Sequence, residues 1–74
     1  MAYNYSKLIG RIVEKYGDRR AFAHVIGMSE ASLSLRLNNK VPLKQSDIEL
    51  MRESLEIPPE EINVYFFDKL LNLT

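Results

Sequence analysis

The sequence predicts a compact all-α domain of five short helices. Three observations predict it. Apolar residues recur three and four positions apart in every segment, and no segment alternates as a half-buried strand would. Gly17, Gly27, Asn39 with Pro42, and Pro58-Pro59 interrupt the chain at intervals suited to short helices. Seventy-four residues make a single domain, 1–74, with a helical core over about 6–66 and an apolar C-terminal tail over 67–74.

The first helix is expected from Ser6 to Tyr16. Ser6 is suited to accept a hydrogen bond from a free N–H of the first turn. Leu8, Ile12 and Tyr16 form a stripe at a spacing of four, widened by Ile9 and Val13, and Gly17 suits a left-handed close. Asp18 is the expected N-cap of the second helix, which buries Phe22, Ala23 and Ile26, keeps Val25 at one side, and stops at Gly27. Met28 bridges to Ser29, the N-cap of a third helix from Glu30 to about Asn38 whose Leu33 and Leu37 face the core. After Lys40, Val41 and Pro42 the fourth helix runs from about Gln45 to Leu55, with Ile48, Met51 and Leu55 inward. Its cap position holds Lys44, where Ser or Thr would serve better. Pro58-Pro59-Glu60-Glu61 opens a short fifth helix, because proline suits a first turn and acids suit the positive end of the dipole. Ile62, Tyr65 and Phe66 are its expected core residues. The tail from Phe67 to Thr74, with Leu70, Leu71 and Leu73, is too apolar for a free end and is expected to pack on helices one and five or in a dimer contact.

Composition limits the function. A chain this short buries only about 60% of the surface it exposes when unfolded, so helix caps and a dense core must stabilise it. There is no cysteine, hence no disulfide or thiolate metal site, and the single histidine, His24, lacks metal-binding partners. No nucleophile lies at usable spacing from a base, and no glycine loop suits a phosphate; no enzyme, metal or cofactor is expected. Glu60-Glu61 are explained by the helix dipole, and Glu49, Glu53 and Glu56 by a solvated face. The tyrosines Tyr3, Tyr5, Tyr16 and Tyr65 read as packing groups rather than base-stacking platforms. Residues 1–6 contain no basic segment followed by an apolar run, and no stretch suits a bilayer, so a cytoplasmic protein is expected. The net charge is zero, but residues 1–40 hold seven basic and three acidic groups (+4), and residues 41–74 hold three and seven (−4). Such a split suggests that a basic half faces a polyanion.

The informative unit is Arg19 through Lys40, RRAFAHVIGMSEASLSLRLNNK. Two short helices meeting at Gly27 need a small residue at their crossing, Ala23, a positive φ at the turn, and an apolar anchor on the second helix, Leu33. Phe22-Ala23, Ile26-Gly27-Met28-Ser29 and Ser32-Leu33-Ser34 resemble the helix-turn-helix of lambda-type repressors and Cro proteins, with the closest likeness to small phage regulators. The resemblance implies a sequence-specific transcription regulator that binds double-stranded operator DNA as a homodimer, with Glu30–Asn38 in the major groove. It implies backbone contacts from Arg19 and Arg20, a capping Ser29 at the groove, base-facing positions at Glu30, Ala31, Ser34, Leu35 and Asn38, and a phosphate contact from Lys40. Arg36 reads as a solvated or phosphate-facing group. A second reading stays open, a repressor modulator that uses the same fold to hold another phage regulator. Leu35, an apolar group on an outward face, and Glu30, which repels phosphate, favour that alternative.

Overall fold

A computed structural model describes residues 2–69. The order is α1 (Ser6–Tyr16), α2 (Arg19–Val25), α3 (Glu30–Leu37), α4 (Gln45–Ser54), a 3₁₀ turn (Pro59–Glu61) and α5 (Ile62–Phe66). The fold is therefore the expected five-helix all-α domain, and no strand forms among the described residues. The extended pieces that flank the helices meet in one isolated antiparallel bridge between Tyr3 and Lys69. No helix among the described residues is long and apolar enough to cross a membrane. Leu70, Leu71 and Leu73 lie outside the described residues.

Capping chemistry sets the boundaries. Asp18 Oδ1 accepts from the Ala21 N–H at 2.8 Å, and Ser29 Oγ from the Ser32 N–H at 3.0 Å. These are the two caps expected for α2 and α3. The cap expected at Ser6 is not formed. Tyr5 turns into the core and takes the N-cap position, Ser6 becomes the first helical residue, and its N–H is taken by Asn4 Oδ1 at 3.0 Å. At α4 the weak cap Lys44 is compensated from the other direction, since Asp47 Oδ2 accepts from the Lys44 N–H at 3.0 Å. Beyond Pro58 the first turn is 3₁₀ rather than α-helical.

The core is layered by helix. α1 packs against α2 and α5, and α2 against α3. Leu8 and Ile12 meet Phe22 and Ala23, Leu33 and Leu37 close from α3, and Met51, Leu55, Ile57 and Phe66 fill the far side. Val13, expected to widen the buried stripe of α1, is 48% exposed, because Leu8 and Ile12 already fill the seam and Tyr16 spans its end. Tyr16 packs its ring 5.2 Å from Phe22 and donates its hydroxyl to the Ser54 carbonyl at 2.7 Å. Arg11 Nε donates to the Leu55 carbonyl at 3.0 Å, so α1 satisfies the free carbonyls at the end of α4. Ile48, Ile62 and Tyr65 are half-buried rather than central.

Between α2 and α3 the turn depends on one conformation. Gly27 has φ +71°, and the Met28 N–H donates to the Ala23 carbonyl at 2.9 Å. A Cβ on Gly27 would meet nothing within 4 Å, so the obstacle there is backbone strain alone. Gly27→Ala is expected to cost about 1 kcal/mol. Ala23→Leu, at a position 1% exposed, is expected to cost about 1–3 kcal/mol by overpacking. Paired thermal melts check both, and a stabilised Ala23→Leu protein would contradict the packing described.

Candidate functional site

The outward face of α3 carries the residues the sequence singles out. Ala31, Leu35 and Asn38 are exposed there, and Ser34 is half-buried. Leu35 keeps 46% of its surface in water. Ser29 spends its hydroxyl on the cap of α3. Lys40 is exposed just past the helix, and Arg19 is half-buried at the start of α2. Arg20 is open to solvent, with its Nε 3.7 Å from Glu30 Oε1, a loose surface pair that contributes little. One of these cations, Arg20, thus lies beside a carboxylate of the same helix-turn-helix unit.

Arg36 departs from the expectation of a free or phosphate-facing group. Its Nε lies 3.4 Å from Asp47 Oδ2, and its Nη1 donates to the Ser32 carbonyl at 3.0 Å. The two side chains are only 18% and 17% exposed. The physical reason is position. Arg36 sits one turn beyond Ser32 on the side of α3 that faces the start of α4, where Asp47 needs a partner. This turns the only cation of α3 toward α4. Asp47 therefore holds both Arg36 and the Lys44 cap. Asp47→Ala is expected to cost about 2–3 kcal/mol, from a lost cap interaction and a charge-assisted hydrogen bond left unmade. Urea denaturation checks it; an unchanged midpoint would show that neither contact contributes.

A second feature was missed. Tyr3, Tyr5, Phe66 and Phe67 converge from the two ends of the chain on Val41, Pro42, Leu43 and Ile48, with Asn39 at the rim, around a groove of about 400 Å³. A shallower hollow of about 440 Å³ along α4 shares Leu43, Ile48 and Phe67 with it and extends the apolar surface. The Tyr3 and Phe67 rings stand edge to face, 5.8 Å apart at 81°, and Tyr3 and Tyr5 lie 6.1 Å apart. Phe67 is 41% exposed. Burial, with a smaller contribution from neighbouring Tyr3, raises the Tyr5 phenol above its ordinary pKa. The only signal in the sequence was aromatic clustering at both ends, Tyr3/Tyr5 and Tyr65-Phe66-Phe67. Nothing local says that the two clusters meet. The loop after α3 joins this groove to the α3 face, since the Lys40 and Val41 N–H groups both donate to the Leu35 carbonyl, at 2.8 and 3.2 Å.

A family model described as a protein of unknown function, DUF739, matches residues 1–69. The chain belongs to the DUF739 family. Comparison with curated proteins finds no match. Among solved structures, this DUF739 protein is similar to the solution structure of the modulator of repression (MOR) of the temperate bacteriophage TP901-1 from Lactococcus lactis. The two are 43% identical, the alignment covers 96% of this chain and 97% of that one, and the TM-score is 0.80. The DUF739 chain is thus a close structural homologue of a phage regulatory protein, over nearly its whole length.

Proposed function

We propose that this protein modulates phage repression by holding a repressor protein, rather than by reading an operator itself. The carrying observation is the 43% identity to a modulator of repression across almost all of both chains. The chemistry of α3 supports the same reading. Its only cation is drawn to Asp47, Arg20 lies beside Glu30, and a large apolar group, Leu35, stands exposed. A groove-reading helix gains most of its affinity from phosphate contacts, which these residues supply sparsely. A protein contact instead favours apolar and aromatic anchors in a concave site, and the Tyr3–Phe67 groove supplies them. We assign the repressor's main contact to that groove, with Leu35 of α3 as a second, neighbouring contact.

One specific feature favours operator binding as the second reading. Asn38 and Lys40 are both exposed at the end of a well-capped α3. In that case Arg19, Arg20, Ser29, Glu30, Ala31, Ser34, Leu35, Asn38 and Lys40 would form the DNA face of a homodimer. The test is a titration of the purified protein against phage-type operator DNA and against a co-encoded phage repressor, at several salt concentrations. The modulator reading expects repressor binding and no salt-sensitive DNA binding. A DNA affinity that falls with log salt at a slope of about −3 per subunit would overturn it.

A further inference from the structure

We infer that Asn39 is a positioning residue for the aromatic groove: its carboxamide clamps the main chain of Tyr3 and so sets the wall that a bound repressor meets. This rests on the reading of the groove as the repressor's docking surface. Asn39 is exposed and follows the last turn of α3, where its N–H donates to the Arg36 carbonyl at 3.2 Å. Its φ is +61°, a left-handed conformation that glycine and asparagine tolerate best. From there Oδ1 accepts from the Tyr3 N–H and Nδ2 donates to the Tyr3 carbonyl, each at 2.9 Å. The carboxamide thus stands in for the peptide group of a neighbouring strand. On the other edge the same segment meets Lys69 in the antiparallel bridge, and the Asn4 N–H donates to the Asp68 carbonyl at 2.6 Å. Tyr3 is held between a side chain from the α3–α4 loop and the backbone after α5. Its ring, edge-on to Phe67, is fixed as a result.

The residue type is specified twice over. Aspartate keeps an acceptor for the Tyr3 N–H but sets an oxygen against the Tyr3 carbonyl. Glycine keeps the left-handed backbone and removes both bonds. Glutamine is one methylene too long for the same seat. Only asparagine combines the backbone preference with a donor and an acceptor at this reach. The end of α3 is thereby tied to the Tyr3 wall of the groove, thirty-six residues away in sequence.

The experiment compares the full-length chain with its Asn39→Gly and Asn39→Asp variants, and with Phe67→Ala as a reference for the groove. Four quantities are read: thermal melting, exchange of the Tyr3 amide by NMR, the through-space contact between the Tyr3 and Phe67 rings, and affinity for a co-encoded phage repressor. Asn39→Gly is expected to keep a cooperative melt, to exchange the Tyr3 amide at least tenfold faster, to weaken the ring contact, and to bind the repressor about tenfold more weakly. Asn39→Asp should retain part of the Tyr3 protection and still lose affinity, and it carries the same readouts if the glycine variant does not fold. An Asn39→Gly protein with unchanged Tyr3 exchange or an unchanged ring contact overturns the inference. So does one with a freed Tyr3 and undiminished affinity. If Phe67→Ala leaves repressor binding untouched, the docking reading fails by itself, and the Tyr3 exchange and ring contact still decide whether Asn39 sets the wall.

Discussion

Replacing Phe66 by alanine is expected to cost about 3–5 kcal/mol, as removal of a fully buried phenylalanine does elsewhere. The ring is 1% exposed and lies where α5 closes on α1. α5 itself has only five residues, so tertiary packing, not helix propensity, keeps it folded. At about 0.05–0.15 kcal/mol per residue, a domain of this length has roughly 4–11 kcal/mol in total. The variant should therefore be largely unfolded, or melt lower by about 12 °C or more. Circular dichroism during heating checks this. A melting temperature within a few degrees of the parent would mean that Phe66 is not the keystone of the far side of the core.

The second large effect falls on the next residue and on binding instead of folding. Phe67→Ala should lower stability by less than about 1 kcal/mol, since the ring is already 41% exposed. It should nevertheless weaken the repressor complex by tenfold or more, because a large aromatic group at the mouth of an apolar groove is the kind of anchor that dominates an interface. Leu35→Lys separates the two functional readings. On a groove-reading helix, an added cation preserves or raises non-specific DNA affinity. In a protein contact it removes an apolar anchor, with a loss of roughly 1.5–3 kcal/mol expected from the buried leucine. Calorimetric titration with the repressor and anisotropy with labelled operator DNA give both numbers. Weakened DNA binding in Leu35→Lys, together with undisturbed repressor binding, would contradict both readings at once.

Local chemistry made most of the fold legible. Asp18 and Ser29 announce their helices because each is a short acceptor placed before an apolar-periodic run, and both caps form with their expected partners. Gly27 and Ala23 announce the turn and the crossing for steric reasons that need no knowledge of the rest of the chain. The errors arise where a residue outside the helix being read competes. Ser6 loses its cap role because the buried Tyr5 takes the N-cap position, and the Asn4 side chain accepts from the Ser6 N–H. The position of Arg36 on its own helix points it to solvent or phosphate, whereas its fate is decided by Asp47, eleven residues on. The aromatic groove was the least legible element. It needs Tyr3, the loop at Asn39 and Phe67 to meet in space, and those contacts follow from tertiary closure that no helical period encodes.

The bridge between Tyr3 and Lys69 has a consequence for how the polypeptide can be rewired. The residues that lead into α1 and those that leave α5 run side by side. The stretch Val41–Lys44 between α3 and α4 is outside any helix and largely exposed at Pro42 and Lys44. Sites of that kind tolerate being opened, and neighbouring ends tolerate being joined. A circular permutant beginning just before α4, with a short glycine-serine link from residue 69 to residue 3 in place of residues 1–2 and 70–74, is expected to keep the packing of α1 on α2 and α5 and of α2 on α3. Its new ends would lie on the Pro42 side of the groove, which allows fluorophores to be attached at that wall.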